Sequence, residues 1–187
     1  MEKIAIYLTD LCVKEGIIKE DYDIYYYGFI GLVGFVINSI LIFIAGLLLR
    51  HPIESIIFLS VFGTIREYSG GYHADTSFKC TVFSVLTFIV CLMLSWIFGE
   101  YVFCGSFISL FLIIDLAPVT NVNKPNSPSL LVMAKRNTKV LSIFFYTIAI
   151  VGELLSRGCL RIIHSVLIAI LFLMIVQIKK ENKEHEI

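Results

Sequence analysis

Charge is what this chain has least of. Only 16% of its 187 residues are Asp, Glu, Lys or Arg, against 58% hydrophobic, where a soluble domain carries about 25% charged and 45–50% apolar residues. That deficit excludes an ordinary soluble fold, because one core of this length cannot hide so much apolar surface; the rest must face lipid. The charge that is present sums to a formal net of zero, and no basic stripe is interleaved with aromatics, so the signs of a nucleic-acid partner are missing. No CxxC pair occurs among Cys12, Cys80, Cys91, Cys104 and Cys159. A disulfide framework is therefore not expected, and an odd count leaves at least one thiol free. Cys91, Cys104 and Cys159 lie in or beside apolar runs and read as small hydrophobes. A cleavable leader is not expected either, since Glu2, Asp10, Glu15, Glu20, Asp21 and Asp23 interrupt the start of the chain. No internal repeat is evident, and the length fits one domain over residues 1–187.

What the chain has instead is a series of apolar runs. Residues 1–19 form an amphipathic pattern, with Ile4, Tyr7, Leu8, Leu11 and Cys12 at helical spacing, and the N-terminal amphipathic segment extends to about residue 22. It could lie in the membrane interface or pack on the protein itself. Residues 25–49 hold no charge and open on Tyr25, Tyr26 and Tyr27; about 20 apolar residues cross a bilayer, and tyrosines favour its boundary. Gly28, Gly31, Gly34 and Gly46 in this run would let neighbouring helices approach closely. Residues 53–65 are apolar but short, either a short span or a re-entrant element. Further spans are predicted at 81–98, 101–117, 140–156 and 162–178, with a loop over 118–139 that holds three of the four prolines. The fold class is thus all-α, a polytopic integral membrane bundle of about six segments. With both termini in the cytoplasm, only Arg50, Arg157 and Arg161 of the 15 Lys and Arg residues fall outside, as the positive-inside rule requires.

Polar residues are so scarce that their clustering carries information. Residues 66–80 bring together Arg66, Glu67, Gly70, Gly71, His73, Asp75, Lys79 and Cys80, on the cytoplasmic side in that topology. An imidazole beside a thiol can take its proton and return it to a leaving amine. Seven residues of continuous helix would hold His73 and Cys80 about 10 Å apart, so the pair works only if the chain bends between them. Gly70 and Gly71 permit a turn, and Thr76–Ser77 offer an N-cap for a helix carrying Cys80 in its first turn. The positive end of a helix dipole favours a thiolate, and free N–H groups there can receive an oxyanion. A His–Cys pair seven apart is weak on its own, and a solvated His is the commoner case. A metal site made of His73, Asp75 and Cys80 has mixed ligands and no second cluster to complete it, so neither a metal nor another cofactor is expected.

The run Arg66-Glu67-Tyr68-Ser69-Gly70-Gly71-Tyr72-His73 followed by Cys80 resembles the AgrB family, membrane peptidases that process AgrD-type precursors of quorum-sensing peptides. Ala117-Pro118 followed by Asn123-Lys124-Pro125 is similar to that family's second element. The resemblance implies that Cys80 is the nucleophile and His73 the acid–base. It implies an AgrD-type precursor peptide as partner, cut before its acidic tail and closed into a thiolactone or lactone ring, and a homodimer in the cell membrane. Arg66 matches the family's arginine and could hold a substrate carboxylate or orient the loop. Gly70 and Gly71 would shape the turn, with Gly71 admitting substrate backbone. Asp75 or Glu67 could orient His73, though the family pattern does not require it. Lys124, Lys135, Arg136 and Lys139 could attract an acidic tail or serve only to set topology, and Pro125 belongs with Lys124 in the second element. Two other classes stay open: a peptide transporter, although broken helices in matching halves are not visible, and a non-enzymatic membrane scaffold.

Overall fold

The computed structural model describes residues 2–17, 20–71, 76–119, 128–155 and 158–185. Seven α-helices carry nearly all of them: α1 (Glu2–Lys14), α2 (Tyr22–Leu48), α3 (Pro52–Ser69), α4 (Ser77–Ile97), α5 (Gly99–Leu116), α6 (Pro128–Leu154) and α7 (Ile162–His185). A 3-10 turn, Gly158–Arg161, leads into α7. Four helical stretches, Tyr22–Leu48, Phe78–Ile97, Pro128–Leu154 and Gly158–Asn182, are each long and apolar enough to cross a membrane, and Tyr101–Leu116 is apolar but shorter. The protein is a multi-pass helical membrane protein.

Local chemistry sets the ends of these helices. The amphipathic pattern of residues 1–19 stops at Lys14 rather than running on. Gly16 takes φ +70°, its N–H bonds to Val13 O, and Ile17 N–H bonds to Cys12 O, the paired bonds of a Schellman stop. The amphipathic helix packs on α2, with Ala5 and Thr9 buried and Tyr22 Oη donating to Asp10 at 2.9 Å. The same stop closes α2, with Arg50 at φ +62° and His51 N–H on Gly46 O at 2.7 Å. Pro52 then opens α3 at a position where its missing N–H costs nothing. This corner presses α3 onto α2 at Gly46, where a Cβ would meet Ser55 at 2.6 Å. Gly28, Gly31 and Gly34 have nothing within 4 Å; of the four glycines expected to admit a neighbour, Gly46 alone does so within this chain.

Two further boundaries differ from the sequence expectation. The loop predicted over 118–139 is helical from Pro128 onward, because a proline in the first turn starts a helix rather than breaking one, and Leu130, Leu131, Met133 and Ala134 are good helix formers. The segment expected to end near Ile65 continues through Arg66 and Glu67 to Ser69. At 18 residues α3 is about 27 Å long, close to the roughly 30 Å hydrocarbon thickness.

The helices alternate in direction. His51 at the start of α3 meets Trp96 at the end of α4, ring centroids 4.9 Å apart. At the other end, Gly71 just after α3 faces Leu173 of α7, and Val119 just after α5 binds Ser69 O. The centre is α7, which touches α3, α4, α5 and α6. Its residues Ile162, Ile163, Val166, Leu167, Ile170 and Met174 are buried, as a helix apolar on all sides must be. Outward residues such as Leu32, Phe35, Phe107 and Phe111 are exposed and suit a lipid boundary.

Candidate active site

Cys80 is the fourth residue of α4. Thr76 caps that helix, its Oγ1 accepting from Lys79 N–H at 3.3 Å, while its carbonyl accepts from Cys80 N–H at 3.0 Å. The Cys80 amide is therefore committed to the helix. Oxyanion donors at this terminus would be the amides one turn earlier, at Ser77 and Phe78, which have no intrahelical acceptor. Cys80 is half-buried and its thiol is free, so the cap presents it at the rim of the bundle.

The facing wall is the end of α3. Arg66 lies in its last turn, its guanidinium over the Phe62 ring at 5.3 Å. Its charge and the Cys80 side chain are near enough to interact electrostatically. Gly70 and Gly71 follow with φ of +75° and +119°, conformations that side chains disfavour. At Gly71 an added Cβ would make ordinary van der Waals contact, 3.4 Å from Arg66 Nη1 and 3.5 Å from the Leu173 backbone.

Gly70 meets the second sequence element. Val119 N–H donates to Ser69 O at 2.9 Å, and Gly70 and Val119 form an isolated parallel bridge. A Cβ on Gly70 would collide with the Val119 carbonyl oxygen. The two separate runs singled out in the sequence, Arg66–Cys80 and Ala117-Pro118 onward, therefore touch through backbone.

His73, Asp75, Lys124 and Pro125 lie outside the described residues. The four-residue link 72–75 runs from Gly71, fixed beside Arg66, to Thr76, fixed as the cap. Lys135, Arg136 and Lys139 are exposed on the first turns of α6 rather than in a loop.

Sequence reasoning passed over a second polar cluster at the opposite end of the bundle. His164, 1% exposed in α7, shares a hydrogen bond of 2.8 Å between its Nδ1 and Ser106 Oγ. The Phe103 and Tyr146 rings stand edge-on to it at 5.4 and 5.7 Å. Above it Glu153 and Arg161 pair at 2.9 Å and line an open cleft with Gly99 and Phe103. A lone imidazole in the apolar run 162–178 was the available signal.

Comparison with known proteins agrees with the motif. The family described as Accessory gene regulator B matches residues 1–178. An AgrB-like protein of Clostridium perfringens strain SM101 is 32% identical over 140 residues, which cover 68% of this chain and 65% of that protein. A second AgrB-like protein, from strain 13 of the same species, is 31% identical with the same coverage. The accessory gene regulator protein B of Staphylococcus intermedius is 29% identical over 109 residues, 55% of this chain and 56% of the relative. The chain spans just under two thirds of the length of the first two relatives. No solved structure matches.

Proposed function

The chain belongs to the accessory gene regulator B family, and from that membership we propose that it is a membrane cysteine endopeptidase acting on an AgrD-type precursor peptide in quorum sensing. The observation that carries this reading is the placement of Cys80. It sits in the capped first turn of α4, within electrostatic range of the half-buried Arg66, and seven residues after His73 in sequence.

In this reaction the Cys80 sulfur attacks the carbonyl at the junction of signal and acidic tail. His73 takes the thiol proton and then gives it to the departing amine. Arg66 steadies the thiolate before attack, and the amides of Ser77 and Phe78 receive the oxyanion. The amide bond breaks, the tail leaves as an amine, and a thioester joins the signal to Cys80. An internal Cys or Ser of the peptide then attacks that thioester, closes the ring and restores the thiol, with no water consumed. A site at the membrane face limits competing hydrolysis. An amphipathic leader held on the same membrane raises the peptide's local concentration.

Both termini and the catalytic segment then lie on the cytoplasmic side, and a homodimer of this small bundle is the working unit. The exposed Lys135, Arg136 and Lys139 of α6 would draw the acidic tail to the site. The test is to trap the thioester. Intact-mass spectrometry of protein mixed with precursor should show a covalent adduct that hydroxylamine removes and Cys80→Ala lacks. An adduct that persists in Cys80→Ala would rule this nucleophile out.

A further inference from the structure

Helix α3 ends at Ser69, and the contacts just beyond it set how the chain leaves the helix. Among the described residues, the chain contributes one backbone contact outside the helices and their caps, and it lies here: Val119 N–H to Ser69 O at 2.9 Å, with Gly70 bridged in parallel to Val119. Val119 is 5% exposed and Ala117 3%, so the contact is buried, where a hydrogen bond is electrostatically stronger than in water. The carbonyl of Val119 comes so close to Gly70 that no Cβ fits. Because the obstruction is backbone, it cannot rotate aside as a side chain would. One residue further on, Gly71 lies beside Arg66 and the Leu173 backbone of α7.

Resting on the peptidase function proposed above, we propose that Val119 and Gly70 form a positioning joint. Through it Val119, at the end of α5, sets where the chain that leads on to His73 departs from α3. Neither residue touches the reacting atoms; both act through the catalytic pair. This accounts for two features that sequence alone leaves unconnected. Gly70 is required by the neighbouring carbonyl as well as by its own φ, and the element beginning Ala117-Pro118 belongs to the site although 37 residues separate Cys80 from Ala117. The joint's geometry is set by main chain, so the identity of the side chain at 119 matters only for filling the buried space.

The decisive variant replaces the Val119 amide by an ester, introduced as the α-hydroxy analogue of valine. It deletes one N–H donor and keeps the side chain. In liposomes with precursor peptide, kcat should fall by roughly tenfold or more, since an ångström of misplacement can cost about a hundredfold. KM should stay within about twofold. Gly70→Ala, which keeps every donor and forces the two segments apart, should reproduce the loss. Unchanged kcat in the ester protein, or a change in KM alone, would overturn the joint. So would unfolding of both variants, because the contact would then hold the bundle and not the site. If wild type cleaves no precursor, the peptidase function fails separately. The joint is then judged by the iodoacetamide labelling rate of the Cys80 peptide, which must differ between wild type and ester protein for the joint to stand.

Discussion

Removing the cap of α4 tests directly how Cys80 is presented. Thr76→Ala deletes the oxygen that accepts from Lys79 N–H and leaves the Thr76 carbonyl bond to Cys80 N–H in place. An N-cap residue contributes about 0.5–2 kcal/mol. At 3.3 Å the bond is long, so the low part of that range applies, about 0.5–1 kcal/mol. The rest of α4 is anchored by buried Phe88, Cys91 and Leu92, so the loss falls on the first turn and not on the fold. That energy corresponds to a roughly two- to fivefold rise in the frayed population. Hydrogen exchange at Lys79 and Cys80 should accelerate by that factor while residues from Phe88 onward are unchanged. Cleavage should drop by a comparable factor. Thr76→Ser and Thr76→Asp keep an acceptor and should restore protection. Equal exchange rates in wild type and Thr76→Ala would refute the assignment of Thr76 as the cap that orders the turn carrying Cys80.

Other outcomes follow from the same geometry. Gly46→Ala brings a methyl onto Ser55 and should destabilise the protein by about 1–3 kcal/mol, as overpacking does, read as a lower unfolding midpoint in detergent; Gly31→Ala, with open space around it, should leave the midpoint unchanged. Ser106→Ala strips the His164 Nδ1 of its partner and should cost about 1–3 kcal/mol, the penalty for an unsatisfied buried group, measured the same way. Arg66→Gln removes the cation that faces Cys80; thioester formation should slow by roughly tenfold, equivalent to about 1.4 kcal/mol, with partial recovery in Arg66→Lys.

The broad architecture was legible because lipid imposes it. Uncharged runs such as 25–49 have no other stable home, and the sorting of Lys and Arg gave a consistent set of crossings. Helix ends were harder. Gly16 stops α1 through a left-handed residue, and one glycine in an amphipathic run does not announce that role. Pro128 was misread because proline punctuates both loops and helix starts, and only the structure places it in a first turn. In the site, the Thr76 cap and the glycine turn could be anticipated from side-chain chemistry next to Cys80. The contact of Gly70 with Val119 could not, because it joins main-chain atoms of segments far apart in sequence, and such atoms are alike in every residue. The surroundings of His164 are not legible in sequence, because its partners Ser106 and Tyr146 lie on two other helices.

The central claim is that Cys80 cuts and cyclises a peptide, and its most direct test is the mass of the product. Purified protein in liposomes would be given an AgrD-type precursor peptide, with Cys80→Ala alongside, and the peptides analysed by mass spectrometry. The account predicts that wild type alone releases the C-terminal tail and yields a leader-signal product lighter by one water than the linear fragment. Equal tail release by Cys80→Ala, or a wild-type product of full linear mass, would contradict it.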